Sequence, residues 1–284
     1  MRRIGIVYHP LKESACNLAR ELTEFLRAKH LAVWLCSAWD WERACPQVDH
    51  TDLVLTIGGD GTILRAAQAI MPKSVPITGI NLGRLGFMTE LTVDETKEKL
   101  ELILAGKGTI DERAVLEADL ATAAQKEPRR FYALNDVVLA RGGTARLVNI
   151  EAGVDGVPLT TFRADGVVVA TATGCTGYAL AAGGPVLHPQ SKDFVMVPIL
   201  PHLSYAFPMV VPSGSVSKLG LVAPNPGILS IDGHINVDLS CGDVVTVKQS
   251  SNTVKFLRIH DTNFYESLEQ RLKGKQSGDA RRES

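Results

Sequence analysis

The sequence predicts an α/β fold in its first half and a mostly β fold in its second half. Three observations support this division. Up to residue 106, short apolar runs alternate with segments whose apolar residues recur at helical spacing. From Thr109 onward, short strand-like runs are separated by Gly, Pro, Asn and Asp. A last helical pattern at 263–275 is expected to return to the first half and complete it.

The first half, residues 1–106, is predicted to contain one mostly parallel sheet, because strands and helices alternate along it. The predicted strands are 4–8, 31–35, 53–57 and 75–80, and the predicted helices are 12–29, 62–70 and 93–104. On such sheets, ligands bind beyond the carboxyl ends of the strands. The loops that follow strands 53–57 and 75–80 are therefore the first places to look for a site.

The second half, residues 107–262, is predicted to be a β-rich domain for ligand binding and oligomerisation. The predicted strands are 112–120, 131–141, 145–154, 166–171, 194–198, 217–222, 228–231 and 243–249. Asp155-Gly156 is interpreted as a plain hairpin turn. Apolar positions at Val195, Val197, Val210 and Val211 are expected to be exposed and to contact another copy of the chain. The polar tail 276–284 is expected to be disordered.

The composition excludes several classes of protein. The 284 residues include 30 basic and 31 acidic side chains, so the net charge of -1 offers no general attraction for nucleic acid or for an anionic membrane. The five scattered cysteines form no CxxC pair, which argues against a disulfide framework or a zinc site. No apolar run reaches the roughly 20 residues of a membrane span. A cytoplasmic protein is predicted.

The segment Gly58-Gly59-Asp60-Gly61-Thr62 follows an apolar strand and opens a predicted helix. Three glycines let backbone N–H groups approach a charged ligand, and a phosphate suits that environment. Asp60 is a carboxylate where an anion is expected, which indicates that it holds a metal ion or accepts a proton. A helix-capping aspartate in a structural turn is the alternative, since this pattern matches neither GxGxxG nor a P-loop. The next loop, 81–87, could share the same site.

Four segments in this order and spacing resemble the NAD kinase family over nearly the whole chain. They are Gly58–Thr62, Asn81–Phe87, Leu134-Asn135-Asp136-Val137, and Asp165-Gly166 followed by 173–185. The resemblance implies ATP-dependent phosphorylation of the adenosine-ribose 2′-hydroxyl of NAD, with a divalent metal such as magnesium. It also implies a Rossmann-like α/β domain joined to a β-sandwich, and a homodimer or homotetramer.

The resemblance implies roles for individual residues of this sequence. Asp60 matches the family's catalytic aspartate, as a base or as a metal-associated carboxylate. Asn135 and Asp136 match an Asn-Glu pair that contacts the dinucleotide. Asp165 matches a position that contacts the nicotinamide side, and Asp232 matches a second contact position. The residues expected to bind substrate or nucleotide are Gly58, Gly59, Gly61, Thr62, Arg84, Phe87, Asn135, Asp136, Asp165, Thr173, Thr176, Gly177, Tyr178 and Asp232.

The chain departs from the family's pattern at several positions. Asp136 is one methylene shorter than the usual glutamate. Cys175 and Ala181 replace serines, and Cys175 is interpreted as a small apolar filler because no neighbouring base would activate its thiol. Gly177 replaces an alanine. Phe207 replaces a common arginine, which weakens the case for a phosphate clamp there.

Two other functions stay open at the level of the sequence. A related GGDGT-type kinase could act on a lipid or a sugar phosphate, although the chain has no basic amphipathic stretch for a membrane. A catalytically silent NAD sensor could use the same loops, although it would not need Asp60. The sequence does not distinguish ATP from polyphosphate as the donor, nor decide whether NADH is accepted.

Overall fold

The first half of the chain forms a doubly wound α/β layer. The computed structural model describes residues 1–83, 86–143, 146–202, 207–222, 225–260 and 263–269. The elements of this half are β1 (Arg3–Tyr8), α1 (Glu13–Ala28), β2 (Ala32–Ser37), α2 (Trp41–Ala44), β3 (Leu53–Gly58), α3 (Asp60–Ile70), β4 (Ile77–Asn81), β5 (Leu91–Thr92) and α4 (Thr96–Leu104). The predicted alternation of strands and helices is confirmed.

The four main strands of this half pair in parallel in the order β2-β1-β3-β4, and β5 pairs with β4. Every residue of β3 and β4 is buried, as expected for strands covered by helices on both faces. One face packs on α1 through Leu22 and Leu26. The other face packs on α3 through Ala66 and Ile70. The loops that leave the carboxyl ends of the strands therefore diverge to opposite faces.

The second half contains twelve assigned strands within the described residues. They are β6 (Thr109–Ala121), β7 (Arg129–Ala133), β8 (Asp136–Arg141), β9 (Val148–Val154), β10 (Val157–Ala164), β11 (Gly166–Thr171), β12 (Phe194–Ile199), β13 (Met209–Val211), β14 (Val216–Leu221), β15 (Gly227–Ile231), β16 (Ile235–Leu239) and β17 (Val244–Arg258). A short helix, α5 (Tyr178–Ala181), follows β11. The predicted β-rich second half is confirmed.

These strands form a sandwich with antiparallel pairing. One sheet has the order β13-β12-β11-β8-β15-β16, and it faces β10-β9-β14-β17 together with β6 and β7. The core between the sheets contains Val167 and Phe194 from the first sheet and Leu219 and Val245 from the second. Asp155 and Gly156 both have positive φ angles, 51° and 79°, in the β9–β10 turn, so the predicted hairpin is confirmed.

The parallel sheet and one sheet of the sandwich are continuous. The long strand β17 pairs antiparallel with β6, and Phe256 near its end pairs in parallel with Ile77 of β4. The last strand of the β-rich half thus hydrogen-bonds to the α/β half. This continuity holds the carboxyl edge of the parallel sheet beside the sandwich.

Several details differ from the sequence-based expectations. The segment 131–141, predicted as one strand, is broken between Ala133 and Asp136. Strands β10, β13 and β16 are absent from the predicted set. Val195, Val197 and Val211 are buried rather than exposed, because β12 packs on both faces of its sheet, whereas Val210 is exposed.

The final helix is present over residues 264–269, where the rings of Phe264 and Tyr265 lie 5.4 and 6.0 Å from that of His188. The rest of the predicted helix 263–275 and the predicted tail 276–284 lie outside the described residues. Within the described chain, every helix is too short or too polar to cross a membrane.

Candidate active site

Asp60 is the first residue of α3, directly after the turn that ends β3. Its carboxylate accepts hydrogen bonds from the backbone N–H groups of Phe87, at 2.9 Å, and Met88, at 3.2 Å. Each oxygen accepts one of these bonds and keeps acceptor capacity for a further partner. The side chain is therefore held in one orientation by the loop that follows β4.

Gly86 makes this arrangement possible. A Cβ atom at Gly86 would lie 2.1 Å from Oδ1 of Asp60, so only glycine lets the backbone approach the carboxylate so closely. This contact brings the loops after β3 and β4 together, and a shared ligand site stays a prediction. Arg84, predicted in the same loop, lies outside the described residues.

Thr62 lies in the first turn of α3 behind Gly58. Its hydroxyl is 2.1 Å from the position that a Cβ on Gly58 would occupy, so Gly58 is needed for close packing. Thr62 is only 3% exposed, and its Oγ1 has no hydrogen-bond partner among the described residues. Gly59 and Gly61, in contrast, have open space around their Cα atoms. The turn therefore has open space at its surface, beside Gly59 and Gly61, and the unpaired hydroxyl of Thr62 beneath it.

Asp232 organises the break between β7 and β8. Its buried carboxylate accepts three backbone N–H groups, those of Leu134 at 3.0 Å, Asn135 at 2.7 Å and Asp136 at 3.1 Å. The side-chain amide of Gln68 donates a fourth hydrogen bond at 3.2 Å. Asp232 has a φ of 49° in the β15–β16 turn, which orients its side chain toward the break. These bonds explain why 131–141 does not continue as one strand.

Within the described chain, the break presents one buried acceptor that lacks a donor and one buried carboxylate with a raised pKa. Oδ1 of Asn135 is buried without a partner among the described residues. Burial, and then the nearby charge of Asp232, raise the pKa of Asp136 to about 7. Burial also raises the pKa of Asp232, to about 6, against the opposing effect of its hydrogen bonds. A hydrogen-bond donor from a ligand would satisfy Asn135 and stabilise the ionised form of Asp136.

The segment 173–178 packs directly on this break. A Cβ at Gly174 would lie 2.1 Å from the carbonyl oxygen of Asn135. The Thr173 hydroxyl accepts a hydrogen bond from Arg113 at 3.3 Å, and the N–H of Gly177 donates to Gly174 at 2.9 Å. Tyr178 opens α5 with 48% of its surface exposed. The tyrosine ring is therefore available to a ligand beside Asn135.

Cys175 has an internal role, as predicted. It is fully buried, its thiol donates to the carbonyl of Ala172 at 3.0 Å, and its sulfur accepts the N–H of Leu187 at 3.1 Å. Burial raises the pKa of the thiol. A neutral, buried thiol of this kind is not a nucleophile.

A cavity of about 290 Å³ lies between the loop after β4 and the segment 172–176. Its walls combine predicted residues with residues that the sequence analysis did not select. The side chains of Phe87, Glu90, Asp111, Arg113, Thr173, Thr176, His188, Arg258, His260 and Phe264 line it. Most of them are polar or charged, which suits a polar ligand.

The newly found charges form a connected network. Asp111 accepts hydrogen bonds from Arg113 at 2.6 Å and from Arg258 at 3.3 Å. Burial alone would raise the pKa of Asp111, but the two arginines outweigh it and lower the pKa. Glu90 accepts from Arg258 at 3.1 Å and from the N–H of His260 at 2.7 Å. The sequence offers no local signal for this network, because charged and polar side chains recur along both β6 and β17.

Asp165 is not brought together with the other predicted residues. It precedes β11, whereas Thr173 lies beyond the other end of that six-residue strand, and that end is about 20 Å from Asp165. Its carboxylate pairs with Nε of Arg141 at 2.8 Å. Phe207, where an arginine was expected by family resemblance, is an exposed side chain.

The architecture and the site define a class of protein. A carboxylate at a glycine-rich helix start is held by the backbone of Phe87, and Phe87 lines a polar cavity between an α/β layer and a β-sandwich. This is the arrangement of a nucleotide-binding phosphotransferase, in which helix N-termini and backbone N–H groups hold phosphates.

Comparisons with known proteins specify the family. Residues 32–108 match the ATP-NAD kinase N-terminal domain, and residues 134–259 match the ATP-NAD kinase C-terminal domain. The NAD kinase of Dehalococcoides mccartyi is 46% identical over 274 residues, which cover 96% of both chains. The NAD kinase of Chloroflexus aggregans is 39% identical and covers 96% of this chain and 99% of its own. The chain belongs to the ATP-NAD kinase family.

Solved structures share the fold. The crystal structure of yeast NADH kinase complexed with NADH matches with a TM-score of 0.87 at 24% identity, covering 96% of this chain and 88% of its own. An Archaeoglobus fulgidus NAD kinase in complex with ATP matches with a TM-score of 0.76 at 26% identity, covering 95% of this chain and 98% of its own.

Proposed function

We propose that this chain is an NAD kinase that transfers the γ-phosphoryl group of ATP to the 2′-hydroxyl of the adenosine ribose of NAD, giving NADP and ADP. The observation that carries the proposal is the orientation of Asp60. Its carboxylate is fixed by Phe87 and Met88 and keeps acceptor capacity on both oxygens. Family membership and the relatives named NAD kinase support the same reaction.

The dinucleotide binds in the cleft beside Asp60. Phe87, Thr173, Thr176, Gly177 and Tyr178 surround its adenosine. The unpartnered Oδ1 of Asn135 and the carboxylate of Asp136 receive hydrogen bonds from a ribose hydroxyl or from the adenine amino group. Unsatisfied buried acceptors favour a ligand with matching donors, because binding removes their desolvation cost.

The chemical step needs positioning and charge stabilisation more than covalent help from the protein. The 2′-oxygen attacks the γ-phosphorus, the bond from that phosphorus to the β,γ-bridging oxygen breaks, and ADP leaves with the electron pair. The proton of the 2′-hydroxyl passes to the carboxylate of Asp60. Backbone N–H groups of Gly58, Gly59 and Gly61 hold the phosphates at the start of α3.

A divalent cation, with magnesium as the natural choice, belongs to this reaction. Magnesium is usually held by one or two carboxylates together with substrate phosphates and water. Asp60 fits that donor set, and the described residues contain no cluster of three or more acidic, His or Cys side chains that would bind the ion without substrate. The bound ion would neutralise the charge that develops on the transferred phosphoryl group.

Asp232 and Asp165 have different parts in this proposal from those that the family resemblance implied. Asp232 is a positioning residue, since four donors within the protein occupy its carboxylate. Asp165 lies a strand length away, so its contact with the nicotinamide requires the dinucleotide to extend along β11.

We also propose a cytoplasmic homo-oligomer, a dimer or a tetramer, built through the β-rich half. All five cysteines are free, which fits a reducing compartment. The exposed apolar side chains of Leu200, Phe207 and Val210 cluster in sequence around the edge strand β13. An edge strand of this kind is protected when a second copy covers it.

Asp60→Asn tests the proposed function. NADP formation from NAD and ATP, followed with a coupled dehydrogenase, should occur with the wild-type chain. Loss of the carboxylate should lower kcat by at least about a hundredfold, because general-base catalysis alone contributes about 10²–10⁴. Asp94→Asn, which changes an exposed carboxylate in the same half, should retain the wild-type rate.

The same assay decides between the competing functions. A wild-type chain that binds NAD without forming NADP would be a sensor, and one that phosphorylates only a lipid or a sugar phosphate would be a kinase of another class. Turnover by Asp60→Asn at close to the parent rate would leave Asp60 as a helix-capping residue.

A further inference from the structure

The order of the parallel strands reverses at β1, away from the cavity that Phe87 and Thr173 line. In the strand order β2-β1-β3-β4, the chain moves outward from β1 to β2 and then returns to β3 on the other side of β1. The helices that follow β1 and β3 pack on opposite faces of the sheet. Such a reversal opens a crevice at the carboxyl ends of the two strands, which is where open α/β sheets bind ligands.

Two aromatic side chains form one wall of this crevice. His9 follows β1, and Trp39 lies in the turn that follows β2. Their ring centroids are 5.8 Å apart with an interplanar angle of 58°. The backbone N–H of Trp39 donates to the hydroxyl of Ser37 at 3.1 Å, which holds the turn, and 47% of the tryptophan surface is exposed. A tryptophan exposed at the ligand-binding edge of a sheet offers a stacking surface.

The unsatisfied hydroxyl of Thr62 lies beneath the turn at Gly58. The position of a Cβ on Gly58 would be 2.1 Å from Oγ1 of Thr62 and 3.3 Å from Cβ of His9. The buried Thr62 hydroxyl therefore lies on the side of the turn that faces His9. It lies at the N-terminus of α3, an 11-residue helix whose first-turn N–H groups attract phosphate. The crevice thus has an aromatic end and an anion-binding end.

We propose that the purine base of the phosphoryl donor stacks on Trp39, that its ribose lies over His9, and that its phosphates run along the Gly58–Thr62 turn to Asp60. The proposal rests on the proposed kinase function. The ends of β2 and β3 are separated by two strand spacings, about 10 Å, which the ribose and phosphate chain of a nucleoside triphosphate can bridge.

This placement puts donor and acceptor on different sides of Asp60. Phe87, which contacts Asp60 from the loop after β4, belongs to the acceptor cleft, whereas Trp39 and His9 belong to the β1 and β2 side of the sheet. A phosphoryl group that passes between two such ligands has its attacking and leaving oxygens on opposite sides, as in-line transfer requires. A built site for the base also favours a nucleotide over polyphosphate as the donor.

Calorimetry on the full chain tests the assignment with three ligands: ADP with magnesium, tripolyphosphate with magnesium, and NAD. In Trp39→Ala the Kd for ADP should rise about 5- to 150-fold, the range expected when a base loses an aromatic stacking partner. The Kd values for tripolyphosphate and for NAD should not change. Trp39→Phe should recover part of the ADP affinity.

Leu35→Ala is the matched control, because Leu35 is an exposed apolar side chain of the same edge strand that stops short of the crevice. It should leave all three Kd values unchanged. Wild-type ADP affinity in a folded Trp39→Ala variant, an equal loss for ADP and tripolyphosphate, or no ADP binding by the wild type would each overturn the assignment.

Turnover separates this inference from the function on which it rests. If the wild type forms NADP but Trp39→Ala binds ADP as tightly as the wild type does, the base site is refuted and the kinase function stands. If Trp39→Ala weakens ADP binding but the wild type forms no NADP, the kinase function is refuted and the nucleotide site stands.

Discussion

The side-chain amide of Gln68 donates hydrogen bonds to the carboxylate of Asp232 at 3.2 Å and to the carbonyl of Tyr132 at 2.7 Å. Gln68 lies in α3, about 12 Å along the helix from Asp60. Asp232 in turn holds the backbone of Asn135 and Asp136. One side chain thus connects the helix that carries the proposed base to the segment that we propose binds the dinucleotide.

Gln68→Met should impair the alignment of substrate and base while keeping the volume of the side chain. Loss of hydrogen bonds worth about 0.5–1.5 kcal/mol should raise the KM for NAD about 2- to 10-fold and lower kcat as well. The KM for ATP should change less, because the donor does not contact the β7–β8 break. Steady-state kinetics with each substrate varied in turn provides the measurement.

Thr78→Val is the control for a general loss of stability. The Thr78 hydroxyl donates to the carbonyl of Leu257 at 3.0 Å, so it also joins the parallel sheet to β17. Its removal should lower the melting temperature without raising the KM for NAD. An equal rise in KM for both variants would show that Gln68 has no specific positioning role.

The raised pKa of Asp136, about 7, predicts a pH dependence of substrate binding. The ionised carboxylate accepts hydrogen bonds from the dinucleotide better than the protonated acid does. The KM for NAD should therefore rise as the pH falls from 8 to 6, and Asp136→Asn should abolish this dependence while raising KM at pH 8. A pH profile unchanged by the substitution would remove Asp136 from the binding site.

The same pKa predicts a pH dependence of stability with a defined sign. The ordinary pKa of the Asp136 carboxyl is 3.8, so between this pH and a pH of about 7 the folded state keeps a proton on Asp136 that the unfolded chain has released. The contribution of Asp136 to stability is present below pH 4 and is lost as the pH rises to about 7. One pKa unit corresponds to about 1.4 kcal/mol. Over that pH range, the free energy of unfolding of Asp136→Asn should therefore rise by on the order of a few kcal/mol relative to that of the wild type. Denaturant unfolding at pH 5 and pH 8 would measure it.

Gly86→Ala should displace the carboxylate of Asp60, since the new methyl group would lie 2.1 Å from Oδ1. A displacement of about 1 Å at a reacting group can reduce the rate about a hundredfold, so kcat should fall by that order. Gly83→Ala, in the same loop but with open space around it, should turn over normally. Equal activity of the two variants would show that catalysis does not depend on the exact position of the Asp60 carboxylate.

Self-association should depend on the exposed edge at β13. Sedimentation at micromolar concentration should show a dimer or a tetramer, and Val210→Glu should shift it toward monomer because a charge would be buried at the contact. Val93→Glu, at an exposed position in the α/β half, should leave the assembly intact. A monomeric wild-type chain would refute the expectation.

The sequence by itself determined the fold class, because hydrophobic periodicity is local and is repeated in every element. The turn at Asp60 could be found for a related reason, since its glycines follow an apolar strand. The Asn135-Asp136 pair was selected by its resemblance to a family motif. The partners of those residues could not be found in this way. Gln68, Arg113 and Arg258 carry no local signal that distinguishes them from surface side chains.

Tertiary structure decided which predicted residues lie together and how they are charged. Asp136 and Asp232 are 96 positions apart in the chain, yet the pairing of β8 with β15 places both in one buried environment that raises both pKa values. In the same packing, the carboxylate of Asp232 accepts hydrogen bonds from the protein, whereas Oδ1 of Asn135 has no donor among the described residues. Desolvation and hydrogen bonding depend on neighbours distant in sequence, so these properties exist only in the folded chain.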